Sequence, residues 1–154
     1  MKFALNGALT IGTLDGANIE MRDAVGAENF IIFGLTADQV AERRARNEVP
    51  RSAIDASPML KEALEMISSG VFSPDDPNRY RDLIGGLYDH DWFMVARDFD
   101  DYAQSQRAVD ALWNNPRKWY SMAIRNTAHM SWFSSDRTIR QYAREIWGVP
   151  VTTP

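Results

Sequence analysis

The sequence predicts an α/β fold in which a truncated parallel α/β unit is followed by mainly α-helices. Two short apolar runs next to glycines, at residues 8–12 and 29–34, are typical of buried parallel strands. A helical stretch lies between them, and helix-start signals recur from residue 36 onward. We therefore predict a parallel α/β unit at 1–35 and a helical region at 36–154 that packs on it.

The composition excludes several classes of function. A chain of 154 residues with 45% hydrophobic and 25% charged residues has the profile of one soluble domain. Its net charge of −4 gives no electrostatic reason to bind nucleic acid. It has no cysteine and no apolar run of the roughly 20 residues that a membrane span needs, and its first residues reach polar positions too soon for the apolar region of a secretory leader. We expect a cytoplasmic protein with neither nucleic acid nor membrane as partner.

The first 35 residues have the pattern of a strand, a helix and a strand. Asp15 is a good N-cap for the helix, which should run through Ile19 towards Gly26. The whole segment therefore predicts a βαβ-like unit. Since two strands do not make a stable sheet unaided, we expect the sheet to continue in residues outside this chain.

Helix-start signals mark the rest of the chain. Residues 36–44 predict a surface helix with few apolar positions, and residues 47–55 a polar loop. Three pairs then place a capping side chain before a proline at the first helical position. They are Ser57-Pro58, Asp76-Pro77 and Asn115-Pro116.

Apolar residues at helical spacing predict one buried face per helix. The last helix has the clearest signals, with a cap at Ser134 or Ser135 and an end at Gly148 and Pro150. Trp113 falls on such an apolar stripe, and so does Trp147, so the spacing predicts that both tryptophans lie in the core rather than on a sugar-stacking platform. The predicted stripes are Leu60, Ala63, Leu64 and Ile67; Tyr80, Leu83, Ile84, Leu87 and Tyr88; Tyr102, Val109, Leu112 and Trp113; and Ile139, Tyr142, Ala143, Ile146 and Trp147.

Candidate chemical groups are few. The glycine-flanked turn at residues 12–18 could present backbone N–H groups to a phosphate, or it could be only a tight turn. Asp15 there is a helix cap or, as the less favoured reading, a catalytic carboxylate. His90, between two aspartates, is better explained as a solvated turn or helix end than as a metal ligand, and His129 as a helix end. Lys2 would be interpreted on local grounds as a solvated terminal side chain.

Residues 1–21, which begin Met1-Lys2-Phe3, closely resemble the pyridoxal-phosphate signature of the glycogen and starch phosphorylases. The resemblance continues through residues 29–34, 68–74, 133–139 and 142–149, and so spans almost the whole chain. In that family the lysine of Met-Lys-Phe forms the Schiff base with the cofactor. The resemblance therefore implies that Lys2 is the cofactor-binding lysine, and it implies neither a catalytic residue nor a metal ligand in this chain.

The family implies a glycosyltransferase-B fold, of which this chain would be the C-terminal part, with residues 1–35 as the end of the Rossmann-like domain that binds pyridoxal phosphate. It also implies phosphorolysis of α-1,4-glucan by inorganic phosphate, which releases glucose 1-phosphate with retention, and a role for the phosphate of pyridoxal phosphate in proton transfer. Such a relay needs donors around two phosphates and exclusion of water. Because the chain begins at the cofactor lysine, we expect it to be inactive alone and its cofactor site to be empty.

Two further hypotheses belong to other classes. A noncatalytic module could self-associate through the exposed truncated face, or complement a phosphorylase portion supplied separately. A glucan-binding module that uses its tryptophans is less well supported, since the spacing assigns those aromatics to the core.

Overall fold

The computed structural model describes residues 1–151, which are mainly helical with a small two-stranded sheet. The strands are β1 (Ile11–Gly12) and β2 (Ile31–Ile32), and 3₁₀ turns span Ala27–Asn29 and Met130–Phe133. The helices are α1 (Lys2–Leu5), α2 (Ala17–Val25), α3 (Ala37–Ala45), α4 (Pro50–Ala56), α5 (Pro58–Ser68), α6 (Arg81–Asp89), α7 (Val95–Trp113), α8 (Pro116–His129) and α9 (Ser135–Glu145).

The two strands are parallel and lie in the predicted apolar runs. The N–H of Ile31 donates to the carbonyl of Thr10 at 3.0 Å, and that of Phe33 to the carbonyl of Gly12 at 3.3 Å. Both partners advance by two residues in the same direction, which is the parallel pattern. The predicted strand, helix and strand are therefore confirmed, although the paired segments are shorter than the apolar runs.

The start of α2 differs from the prediction. Gly16, with φ 52° and ψ −136°, is the N-cap, and no side-chain hydrogen bond caps the helix there. The prediction that Asp15 is the N-cap is therefore wrong by one residue. Glycine adopts a positive φ at little steric cost, so the backbone turn itself can begin the helix. The predicted end at Gly26 is confirmed.

The segment after β2 contains one confirmed helix and one that was missed. Thr36 caps α3 in a reciprocal capping box with Gln39, and no residue of α3 is buried, as expected for a surface helix. The predicted loop at 47–55 is wrong, because α4 begins at Pro50 within it. Proline suits the first helical position, and Ala53 and Ile54 form the buried apolar face of this short helix.

Two of the three predicted cap and proline pairs begin helices. The Ser57 hydroxyl accepts from the N–H of Leu60 at 3.3 Å, and the Asn115 side chain from that of Lys118 at 3.2 Å. In both helices the proline stands in the first turn. Ser57 also donates to the Asp100 carboxylate at 2.6 Å, which ties the start of α5 to α7.

The third pair does not begin a helix. The Asp76 carboxylate accepts from the N–H of Asn78 at 3.1 Å and closes a local turn. The next helix, α6, begins only at Arg81 and has no side-chain cap. An aspartate before a proline favours a turn as well as a helix start, and here the turn forms.

The chain divides into two compact units. The first unit comprises residues 1–11, 16–31 and those from Asp110 onward, and the second comprises residues 12–15 and 32–109. In the second unit, α4, α5 and α6 pack on one another. Its buried core consists of Ala53, Ile54, Leu60, Leu64 and Ala96, with Ile84, Leu87, Tyr88 and Phe99 packed against it.

In the first unit, α8 packs against α1 and α2. Three of its buried apolar residues are methionines, which adapt to irregular spaces. The buried apolar set is Ala4, Met21, Val25, Phe30, Met122, Met130 and Ala143. The polar side chains of Asn29 and Asn126 are buried with them.

Much of the predicted apolar stripe of α9 is exposed. Ser134 caps the helix as predicted, but Ala143 is its one buried residue. Ile146 is 67% exposed and Trp147 56% exposed, and Trp113 at the end of α7 is 65% exposed. The prediction that Trp113 and Trp147 lie in the core is therefore wrong. Helical spacing identifies an apolar face, whereas burial also requires a covering element.

Among residues 1–151, no helix combines the length and the apolar character that a membrane crossing requires.

Candidate cofactor-binding site

Lys2 is the first residue of α1, in the first unit, and is exposed. Its carbonyl accepts from the Asn6 side chain at 2.8 Å, which fixes the backbone of this short helix. Within the described residues its ammonium makes no hydrogen bond or ion pair. A covalent cofactor link needs an accessible amine that is not held by a carboxylate, so Lys2 fits that requirement.

The glycine-flanked turn leads from β1 into α2. Gly16 places the first N–H groups of α2 at the positive end of the helix dipole. Asp15 is exposed, and its N–H donates to the carbonyl of Thr13 at 2.9 Å. The turn therefore has the backbone form on which the phosphate-binding interpretation depends, and that interpretation stays a prediction.

The two histidines lie at helix ends, as predicted. His90 is the C-cap residue of α6, and His129 is the last residue of α8. Asp91, beside His90, accepts from the N–H groups of Val95 and Ala96, each at 2.8 Å, and so stabilises the start of α7. Nowhere in residues 1–151 do three histidine or acidic side chains form a group that could hold a metal ion.

The basic run of α3 is mostly paired with nearby acids. Arg46 pairs with Glu42 one turn away, and Arg43 pairs with Glu48 at 2.6 Å. Glu48 also receives hydrogen bonds from Arg97. Burial raises the pKa of the Glu48 carboxyl. The hydrogen bonds and positive charges of the two arginines together lower this pKa by a larger amount, so it lies below its ordinary value.

Two carboxylates accept hydrogen bonds from the backbone that follows β2. Asp101 accepts from the N–H of Gly34 at 2.6 Å, and Asp98 accepts from that of Leu35 at 2.8 Å. Burial raises the pKa of Asp98, the Leu35 hydrogen bond opposes this, and the neighbouring charges of Asp101 and Asp91 add to the rise. The structure thus places this acid pair against a turn, where it serves the backbone.

A cavity of about 260 Å³ in the second unit was not predicted. It is lined by side chains from the end of α3 and from the connection between α6 and α7, among them Arg44, Asn47, His90 and Trp92. Those two segments are more than 40 residues apart in sequence, and only the fold brings them together. The one sequence signal near this cavity was the Asp-His-Asp segment, which by itself does not indicate a cavity.

The sequence matches the carbohydrate phosphorylase family model over residues 1–149. The match covers nearly all of the chain, including Lys2, β1, α2 and the capped start of α9. The chain therefore belongs to the carbohydrate phosphorylase family, which confirms the resemblance in its sequence.

Individual relatives agree with this membership. The chain is 51% identical over 149 residues to the muscle form of glycogen phosphorylase from Homo sapiens, and 52% identical to the brain form from Pongo abelii. These alignments cover 97% of this chain. They cover 18% of each relative, so the chain spans about a fifth of the length of the curated relatives that it matches.

Proposed function

We propose that this chain is the C-terminal part of a pyridoxal-phosphate-dependent α-1,4-glucan phosphorylase of glycosyltransferase-B fold. The reaction is the attack of inorganic phosphate on a glucan end, which releases glucose 1-phosphate. The observation that carries the proposal is the family match over residues 1–149, which includes the Met-Lys-Phe segment. The proposed glucan and phosphate are substrates of the whole enzyme, and the proposed location is the cytoplasm.

In this proposal residues 1–35 complete the cofactor-binding α/β domain, and residues 36–154 form the helical region that packs on it. Lys2 provides the covalent attachment, for which its accessible and unpaired ammonium is suited. When bound, pyridoxal phosphate supplies a phosphate group for proton transfer. The role of α1 is to hold the lysine at a helix start, where the Asn6 hydrogen bond fixes its backbone.

We further propose that the 154 residues do not catalyse the reaction alone. The side chain of Lys2 is exposed to solvent, whereas phosphorolysis requires a site from which water is excluded, because water would compete with phosphate. The donors that would stabilise two neighbouring phosphates must also be present. We assign those groups to the part of the enzyme that this chain does not cover.

Borohydride reduction after addition of pyridoxal phosphate tests the assignment of Lys2. The chain has three lysines, so Lys61 and Lys118 are internal controls. We expect little or scattered labelling of the isolated chain. When it is assembled with a separately produced N-terminal portion of a phosphorylase, we expect selective labelling of Lys2 together with release of glucose 1-phosphate from glycogen.

The Lys2→Ala variant is the control for that experiment. It should assemble as well as the parent chain, and should lose both the labelled peptide and all measurable activity, because the proposal assigns the covalent attachment to Lys2 alone. Activity that survives in Lys2→Ala, or selective labelling of Lys61 or Lys118, would contradict the assignment. Selective labelling of Lys2 in the isolated chain would contradict the proposed empty site.

A second candidate function is self-association through the first unit. Its support is the apolar face of α9 and the segment after it, where Ile139, Tyr142, Ile146 and Trp147 are all exposed. Exposed apolar residues grouped on one helix mark interaction surfaces. The partner in this hypothesis is a second copy of the chain or the N-terminal portion of a phosphorylase.

Sedimentation velocity over a range of concentrations tests self-association. We expect the parent chain to form dimers or larger species, and Ile146→Asp to shift the population to monomer because a charge cannot be buried there without a partner. Val71→Asp is the matched control, since Val71 is also exposed but lies in the second unit. A parent chain that stays monomeric, or an equal shift in both variants, would rule out this surface.

A further inference from the structure

The cavity of the second unit is bordered by strained backbone. Asn47, Asp91 and Met94 have φ values of 49°, 30° and 56°, and no other non-glycine residue among those described has a positive φ. All three line the cavity. Asparagine and aspartate tolerate this conformation, but methionine pays about 1–2 kcal/mol for it. Strain of this kind is concentrated at binding sites, where it holds side chains in place.

The acidic groups of the cavity are already occupied. Glu48 accepts from Arg43 and Arg97, and those contacts lower its pKa so that it stays ionised. Asp91 uses both carboxylate oxygens to accept from the first two N–H groups of α7. Both oxygens of each carboxylate therefore already accept hydrogen bonds from the protein.

The polar groups that remain available are donors. Arg44 donates to the carbonyl of Trp92 at 2.6 Å, and its guanidinium carbon lies 4.2 Å from the centre of the Trp92 ring. This contact fixes the guanidinium and uses one of its five N–H donors. The side chains of Asn47 and His90 make no hydrogen bond within residues 1–151 and can also donate.

The cavity also has apolar lining residues. Trp92, Met94, Val49 and Pro50 contribute carbon surface to the same cavity, and Trp92 is 66% exposed. A site whose lining includes both donor side chains and carbon surface suits a ligand with one polar head and one apolar body. Three donor side chains from different positions match the oxygens of a phosphate better than the two oxygens of a planar carboxylate.

We propose that this cavity binds a small phosphate monoester with an apolar or aromatic body. Arg44, His90 and Asn47 bind the phosphate oxygens, and Trp92 and Met94 contact the body. This site is independent of the proposed cofactor attachment at Lys2, and its test needs neither glucan nor pyridoxal phosphate.

Isothermal titration calorimetry of the 154-residue protein with phenyl phosphate tests the proposal. Inorganic phosphate alone, phenol and benzoate are the comparison ligands. We expect phenyl phosphate to bind at least about tenfold more tightly than each of them, since inorganic phosphate lacks the ring, phenol lacks the anion, and benzoate offers two acceptor oxygens instead of three. Equal binding of phenol would exclude an anion site, and equal binding of benzoate would exclude the preference for phosphate.

Two arginine variants on the same helix locate the binding. Arg44→Gln should weaken phenyl phosphate binding about tenfold, because it removes a charge-assisted hydrogen bond. Arg46→Gln makes the same change in net charge, but Arg46 pairs with Glu42 and does not line the cavity, so binding should be unchanged. His90→Gln provides a second lining variant should Arg44→Gln not fold. An equal effect of Arg44→Gln and Arg46→Gln, or none of Arg44→Gln, would overturn the assignment.

Discussion

Ile54→Ala is expected to lower the free energy of unfolding of the second unit by about 3–4 kcal/mol. Ile54 has an exposed fraction of 0% and lies at the centre of the core that α4, α5 and α6 share. The substitution removes three carbon atoms from a packed environment, and the surrounding helices can close the resulting space only in part. The helical structure of α4 should also become less stable, because this short helix is stabilised by the burial of its apolar face.

Urea unfolding followed by far-ultraviolet circular dichroism measures this loss. Ile124→Ala is the matched control, since Ile124 is in the interior of α8 but is 69% exposed. The control should change the free energy of unfolding by less than about 0.5 kcal/mol. A similar cost for both variants would mean that Ile54 does not occupy the core position that its burial indicates.

The same residue shows where sequence reasoning failed. Residues 47–55 are polar enough to predict a loop, yet Ala53 and Ile54 form the buried face of α4. A helix of seven residues has little stability of its own and forms because its apolar side chains are buried by neighbours. Tertiary packing therefore stabilises α4, and the local sequence pattern does not predict that packing.

Helix boundaries were predictable where the local hydrogen bond decides the outcome. Ser57 and Asn115 begin helices because each accepts from an N–H group three residues ahead. Asp76 accepts from an N–H two residues ahead instead, and a turn results. The sequence contains both options in each case, and the surrounding fold selects between them.

Burial of the α9 stripe could not be predicted from spacing. The apolar positions were identified correctly, but Ile146 and Trp147 are exposed. Burial would require another element to cover this face, and this chain spans 18% of the length of the relatives that it matches. Within the described residues, the apolar spacing of α9 therefore marks an exposed face rather than a core.

Lys2 and the cavity mark the limit of local reasoning about function. Nothing in the residues around Lys2 distinguishes it from a solvated terminal lysine, and its assignment depends on the family signature. The cavity is bordered by a left-handed backbone conformation at Met94 that no common sequence preference predicts. Asn47 and Asp91, the other two strained positions, are residue types that adopt a left-handed conformation more often than most.

Gly34→Ala is expected to cost about 3 kcal/mol of unfolding free energy. Gly34 has φ 77°, which by itself costs an alanine about 1–2 kcal/mol. A Cβ atom there would also lie 2.6 Å from the carboxylate carbon of Asp98. Asp98 is short and accepts from the N–H of Leu35, so moving it aside also costs part of a hydrogen bond, about 1 kcal/mol or more.

Gly85→Ala is the matched control for the glycine substitution. Gly85 lies in α6, and a Cβ atom there meets nothing within 4 Å. Alanine favours a helix over glycine by about 1 kcal/mol, so this variant should be neutral or more stable than the parent. Both variants are measured by urea unfolding, and a loss in Gly85→Ala equal to that in Gly34→Ala would contradict the local explanation.

A double-mutant cycle with Asp98→Ala separates the two causes of the loss at Gly34. Truncation of Asp98 removes the atoms that the new methyl group would contact, while the N–H of Gly34 still donates to Asp101. If the clash contributes, Gly34→Ala should cost less in the Asp98→Ala background than in the parent chain, and the difference is the coupling energy. If Gly34→Ala lowers the free energy of unfolding equally in both backgrounds, the left-handed backbone alone explains why glycine is required at residue 34, just after β2.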